Sequence, residues 1–286
     1  MKINLLLKLL NCRYLINSFL INRGKFNIIK YRNKFLFIIF FISFSELSLT
    51  TTSNSQMTEN VPRDLLWNKV QKCIGNQQEI HKPEPCLSVD INNKYVVANG
   101  NKPVDYLLVP TDKISGIEAS QISQLSSRNY WQYAWEKATD KDYIRSKAPQ
   151  AKNREQIGLA INSKQARRQD QLHIHMSCIK KIVSDELEKG EKTSEITDRF
   201  KSQKYMNLEG NNYSIRLLKN DSLSNKNNPF FLVKEFVGQT KMEEQSIAVV
   251  GRKQGGFYIL KTQSDAQSGY KAVAEKLLDE DCSTQK

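Results

Sequence analysis

The chain is poor in histidine, with three in 286 residues. Its five cysteines show no CxxC-like spacing, so the usual structural zinc layouts are excluded. Its most apolar stretch, Phe35 to Phe44 (FLFIIFFISF), covers about 15 Å as a helix, short of the hydrocarbon core of about 30 Å. No RNA- or DNA-binding motif is visible and no strict internal repeat. Disorder throughout is excluded by a hydrophobic content of 39%, enough for a core.

The net charge of +13 invites a nucleic-acid reading, but its distribution argues otherwise. The first fifty residues hold eight Lys or Arg and one acid, Glu46, and the remainder is only mildly basic, with 35 basic and 29 acidic residues. Such a body suits an anionic substrate or a membrane surface, and nucleic acid is not expected as a partner. Lys25, Lys30, Arg32 and Lys34 precede the apolar run, and polar TTTSNSQ follows it. That order describes a secretory signal or signal anchor. The expected organisation is a leader over 1–55 and one domain over 56–286, with a core near 62–185 and a C-terminal lobe near 186–286. Positive charge before the run keeps the N-terminus inside. The body is then expected outside a bacterial inner membrane, held by a single-pass anchor or exported to the periplasm, where disulfides persist.

Outside the leader stand Cys73, Cys86, Cys178 and Cys282, which allow three pairings. Cys73 and Cys86 bracket a Pro-containing loop and form the natural local pair; Cys178 with Cys282 follows by elimination. Short apolar runs at 94–98 and 104–109, separated by Asn99-Gly100-Asn101-Lys102-Pro103, read as a hairpin. Runs at 157–163 and 172–179 read as two further strands around a polar loop, and 247–250 with 257–261 as another hairpin. Helices are expected at 62–72, 120–145, 180–191 and 268–280, with a second charged helix near 193–205 and a loop at 219–229. The fold class is therefore α+β, an antiparallel sheet with flanking helices. Two successive hairpin-plus-helix units hint that the C-terminal third is a duplicated half.

Two of the three histidines are His173 and His175. Residues two apart on a strand share a face, so both imidazoles project together while Ile174 and Met176 face the apolar side. Nearby are Asn162 and Ser163, at the end of the neighbouring strand, and the loop residues Lys164, Arg167, Arg168, Gln169 and Gln171. Cations and amides beside paired imidazoles suit a phosphate. An imidazole is neutral and nucleophilic near pH 7 and can form a covalent phosphoramidate, splitting one hard step into two.

The segment LHIHMSCI, preceded by LAINS and a basic loop, resembles the histidine-triad superfamily in its CDP-diacylglycerol pyrophosphatase branch. Further matching stretches are Cys73-Ile74-Gly75-Asn76-Gln77-Gln78 before Pro85-Cys86, and Tyr106 to Thr111 followed by Ile114, Gly116 and Glu118. Trp131, Trp135 and the late Cys282 also match. The resemblance covers about 62–180 well and the C-terminal third more loosely. It implies a histidine-triad-like fold and hydrolysis of CDP-diacylglycerol to CMP and phosphatidate at a lipid surface. His173 would attack the α-phosphorus, and His175 would bind phosphate oxygens and assist the leaving group. Gln171 replaces the first histidine of the triad; its backbone carbonyl would orient the nucleophile. Asn162, Ser163, Arg167, Gln169 and Gln171 are the candidate substrate- or phosphate-binding residues. No metal or cofactor is implied.

Plainer readings stand beside this one. An HxH strand is also a metal-site pattern, for which His81 is the only further histidine, and His81 reads as a solvated loop residue. Arg167-Arg168 alone is the pattern of a solvated loop tip. Another nucleotidyl hydrolase or transferase, or an inactive exported nucleotide-binding module, would share many of these features.

Overall fold

The structure, a computed structural model, describes residues 61–285, which belong to one compact unit, Thr58–Lys286. The leader, with Cys12 and the apolar run, lies outside the described residues. In chain order the elements are α1 (Leu65–Ile80), β1 (Ser88–Asp90), β2 (Tyr95–Asn99), β3 (Tyr106–Pro110), α2 (Tyr130–Thr139) and α3 (Ile144–Lys147). There follow β4 (Ile157–Ile161), β5 (Ile174–Ile179), α4 (Lys181–Lys192), β6 (Met206–Leu208) and β7 (Asn211–Leu218). The chain closes with α5 (Pro229–Val237), β8 (Gln245–Gly251), β9 (Phe257–Gln263) and the two-residue β10 (Leu278–Asp279). The fold is α+β: five helices on a ten-stranded antiparallel sheet of order β1-β2-β3-β5-β4-β8-β9-β7-β6, with β10 added to β5.

Alternation along the central strands divides two apolar faces. Ile174, Met176 and Cys178 of β5 join Leu159 of β4 and Leu108 of β3 in the larger core. Helices α2 and α5 close it. Tyr130, Trp131, Ala134, Trp135 and Ala138 recur at helical spacing and are buried, with Trp131 against Phe230 and Trp135 edge-on to Phe257. The opposite face is covered in two separate patches. Helix α1 packs Leu66, Val70 and Cys73 on Val96, Ala98, Leu107 and Val109. Helix α4 and the C-terminal tail pack Val183, Leu187 and Leu277 on Ala160, Ala248 and Leu260. In register, His175 lies between Leu107 of the first patch and Ala160 of the second. The polar site thus occupies the seam where two apolar patches part.

Several sequence expectations need correction. The helix expected over 62–72 starts at Leu65 and runs to Ile80, where His81 takes a left-handed conformation. The single helix expected over 120–145 is broken: Ser127 Oγ accepts from Gln124 N before Tyr130, and Asp140 Oδ1 accepts from Asp142 N after Thr139, side-chain alternatives to helical bonds. No helix spans 193–205; Thr197 instead bridges Arg216 on β7. No α-helix spans 268–280 either. That stretch holds only the tight turn Ala274–Leu277 before β10, because Leu278 and Asp279 pair with Ile179 and Cys178. Helix α5 begins inside the expected 219–229 loop, with Asn228 accepting from Phe230 N and Pro229 at the first position.

Both expected disulfides are formed, Cys73–Cys86 and Cys178–Cys282. The first links α1 to the segment entering β1. The second ties the C-terminus to β5. Their sequence separations are 13 and 104 residues, so loop-closure entropy favours the second strongly. Replacing Cys178 and Cys282 together by serine should cost about 4–5 kcal/mol, against about 3 kcal/mol for the Cys73 and Cys86 pair. Urea unfolding of the two double variants checks the order; equal losses would contradict it.

Candidate active site

His173 immediately precedes β5, whose sheet pairing begins at Ile174, and it is half-buried. Its Nδ1 lies 2.7 Å from the Gln171 carbonyl. A carbonyl only accepts, so Nδ1 carries the proton and Nε2 keeps a free lone pair. Burial lowers the His173 pKa to about 4, aided by the charge on His175 and opposed by the Gln171 carbonyl. The ring is therefore neutral at physiological pH with its nucleophilic nitrogen fixed by the main chain.

His175 is buried beside it, the ring centroids 5.2 Å apart. Its environment is opposite in kind. Nδ1 lies 3.0 Å from Asp105 Oδ1, and Nε2 lies 3.6 Å from Glu275 Oε2. Burial again pushes its pKa down, but the Asp105 hydrogen bond and the charges of Glu275, Asp105 and Glu280 more than offset it, so the pKa is raised. Two imidazoles with oppositely shifted pKa values stand side by side.

Asp105, Glu275 and Glu280 were not singled out in the sequence. Asp105 is 3% exposed and lies just before β3, where Gly100 N donates to its carbonyl. A Cβ on Gly100 would fall 1.8 Å from Asp105 Oδ2, so this turn needs glycine for the carboxylate to reach the imidazole. An Asn-Gly turn followed by an acid was the available signal. Glu275 and Glu280 come from the C-terminal tail, and nothing local to them in the sequence marks a site.

The expected phosphate ligands are placed differently from one another. Asn162 and Ser163 do lie at the site, as supports of the tail. Asn162 Nδ2 donates to Glu275 Oε2 at 2.6 Å, and its Oδ1 accepts from Glu275 N. Ser163 Oγ donates to the Lys271 carbonyl, and Ser163 N donates to Ala272 O. The other three spend their side-chain hydrogen bonds on protein groups in this structure. Arg167 is buried, bidentate to Glu118 at 2.6 and 2.8 Å and paired with Asp170. A guanidinium buried without such partners would be unstable, and these two acids supply them. Gln169 accepts from Leu66 N and donates to Pro62 O, anchoring α1. The Gln171 side chain is fully buried, accepting from Ile114 N and donating to Pro110 O and Asp112 O. Of the basic loop, Arg168 is exposed and Lys164 pairs with Glu243. His81 is exposed at the end of α1, away from any ligand cluster.

Asp105, His175 and Glu280 offer ligand atoms within 4.8 Å of one another, a three-donor set of the kind a divalent cation uses. Cavities of about 500 and 340 Å³ lie elsewhere, the first beside α5 at Ser123, Lys234 and Gln239, the second at Lys201, Tyr205 and Ile215.

An antiparallel α+β scaffold here sets two imidazoles side by side, one hydrogen-bonded to a main-chain carbonyl and the other to a carboxylate. The family model of CDP-diacylglycerol pyrophosphatase matches residues 61–286, the whole of the described chain, and the chain belongs to that family. It is accordingly a hydrolase, and CDP-diacylglycerol is the substrate that the family implies.

The buried Gln171 amide makes a stability prediction distinct from chemistry. Gln171→Ala leaves one buried N–H and two carbonyls without partners and should cost about 3 kcal/mol. Thermal or urea unfolding checks this; a loss below about 0.5 kcal/mol would show that these bonds do not anchor the loop.

Proposed function

We propose that His173 is the nucleophile and His175 the acid in a two-step hydrolysis of CDP-diacylglycerol. His173 Nε2 forms a bond to the α-phosphorus, and the bond from that phosphorus to the bridging oxygen breaks. Phosphatidate departs with the proton of the His175 imidazolium on its oxygen. The cytidylyl group then sits on His173, whose ring is a cation because Nδ1 keeps its proton. In the second step water attacks the phosphorus, His175 accepts a proton from the water, and neutral His173 leaves as CMP forms.

The observation that carries this reading is the opposed protonation of adjacent rings. A pyrophosphate repels nucleophiles with its own charge, so its cleavage needs an uncharged attacker and a nearby cation. The Gln171 carbonyl fixes the attacker as the Nδ1–H tautomer. The Asp105 and Glu275 carboxylates hold the cation. Gln171 thus supplies through its main chain what the resemblance to the histidine triad asks of the first position. We place the chain, on the same grounds, in a histidine-triad-like relationship, with a phosphohydrolase domain from residue 56 onward.

The two disulfides suit an oxidising compartment. Among the described residues no helix is long and apolar enough to cross a membrane. We infer that the basic, apolar leader over 1–55 exports the domain or anchors it at the inner membrane beside its lipid substrate.

His173→Ala should lower CMP release from CDP-diacylglycerol by on the order of 10³-fold or more without unfolding the chain. Label from cytidine-labelled substrate should be trapped on His173 in the wild type and absent in the variant. Turnover of the variant at the wild-type rate would end the assignment. The pH profile follows from the two rings. Activity should appear as His173 loses its proton near about 4, and fall where His175 loses its own, above the ordinary imidazole range. A kcat/KM profile with a single limb near 6.5 would contradict the opposed protonation.

A further inference from the structure

We infer that Glu118 and Arg167 are positioning residues for His173. Their ion pair locks the 111–118 loop onto the segment before β5, and the 111–118 loop fixes the peptide whose carbonyl aims the ring. The inference deepens the proposed mechanism and rests on it for the role of His173.

The contacts start at the ring. His173 Nδ1 meets the Gln171 carbonyl at 2.7 Å. That carbonyl shares one planar peptide unit with Leu172 N. Leu172 N donates to Ile114 O at 2.6 Å. In a trans peptide the C=O and N–H point opposite ways, so the bond to Ile114 sets the direction in which the carbonyl faces His173. Ile114 is gripped a second time, its own N donating to Gln171 Oε1 at 3.2 Å. The orientation of the nucleophile is thus inherited from main-chain atoms of the 111–118 loop.

Neither helix nor strand shapes this loop, so side chains must hold it. Ile114 and Ile117 are buried in the larger core. Its far end is tied by Glu118, which accepts from Arg167 Nη1 at 2.6 Å, from Arg167 Nη2 at 2.8 Å and from Ser115 Oγ at 2.8 Å. Arg167 belongs to the segment that leads to Gln171. Its N donates to Ser163 O at 3.0 Å, and its Nε donates to Asp170 Oδ1 at 3.0 Å. One guanidinium therefore joins both segments. The Arg167 side chain is 6% exposed and that of Glu118 21%, so the pair is largely shielded from water. There a bidentate guanidinium–carboxylate contact is stronger and more directional than at the surface.

Gly116 makes room for it. A Cβ at this position would fall 2.1 Å from Arg167 Nη1 and 2.8 Å from its Cζ. The loop backbone passes directly against the guanidinium, and a side chain there would push it away from Glu118. A guanidinium that bound the substrate phosphate would act on substrate affinity. One that positions His173 acts on turnover, and the two roles separate in the kinetic constants.

The test uses full-length protein, assayed with CDP-diacylglycerol, and ¹⁵N-labelled histidine to report the His173 tautomer at neutral pH. Glu118→Ala and Arg167→Ala should each lower kcat about tenfold and change KM less than about twofold. Combined, they should still lower kcat about tenfold rather than about a hundredfold, because either change breaks the same contact. Gly116→Ala keeps both partners and displaces only the guanidinium, so it decides the question if the single variants do not fold. It should lower kcat about threefold at unchanged KM. In each variant the His173 signals should move from the single Nδ1–H form toward a mixture with the Nε2–H form. Wild-type kcat in the folded variants, losses that multiply, or a loss in Arg167→Ala that lies in KM alone overturns the proposal. An unmoved tautomer in Gly116→Ala overturns it too, and leaves the nucleophile assignment standing if His173→Ala is inactive. The tautomer is read without turnover, so its shift supports the positioning contact even if His173→Ala proves active.

Discussion

Two imidazoles whose rings lie 5.2 Å apart cannot both be protonated without repulsion on the order of 3 kcal/mol at an effective dielectric of about 20. The structure meets this constraint by giving the rings different partners. His173 receives a carbonyl, which accepts one proton and adds no full charge. His175 receives carboxylates, which make its second proton favourable. The charge on His175 then lowers the His173 pKa further, so each ring's state reinforces the other's. Position in β5 explains why the partners differ. His175 is inside the strand, flanked by β3 and β4, where acids from neighbouring segments converge. His173 precedes the pairing and folds back on its own chain.

Those acids travel far in sequence to arrive. Asp105 comes from a hairpin turn in which Gly100 leaves room for its carboxylate, and Glu275 from a tail more than ninety residues beyond β5. The tail has little regular structure to hold it. It is secured by pairing of Leu278 and Asp279 with β5, by Asn162 and Ser163, and by the Cys178–Cys282 bond. Leu277 and Leu278 pack into the second core patch and anchor the same segment apolarly. The C-terminal third therefore continues the one sheet through β8, β9, β7 and β6 and also completes the surroundings of His175.

What could be read from the sequence was what local pattern determines. Period-two alternation placed Ile174 and Met176 in the core and both histidines on the other side, and the spacing of Tyr130, Trp131, Ala134, Trp135 and Ala138 marked the buried helix face. The four cysteines outside the leader paired as local proximity and elimination required. The failures have physical causes. Apolar residues at 272, 274, 277 and 278 look helical, yet they serve a tail whose shape is set by strand pairing and a disulfide rather than by propensity. Helix α5 did carry a local signal, Asn228-Pro229 before an apolar run, and was obscured by the Asn- and Ser-rich loop in front of it. Glu275 and Glu280 carried none, because an acid in a charged tail looks the same whether it faces water or an imidazole 100 residues away.

The basic loop shows the same limit from the other direction. Arg167, Arg168, Gln169 and Gln171 have the composition of a phosphate clamp, yet Arg167 is neutralised by Glu118 and Asp170, and the two glutamines hold backbone groups. A guanidinium that is 8% exposed must be paired, and Glu118 and Asp170 pair this one. The ring beside His173 is His175, whose charge is conditional where an arginine's is permanent. On the proposed mechanism this is a requirement, since the group that meets the phosphate must give up a proton to the leaving oxygen and recover one from water. An arginine could bind the anion but could do neither.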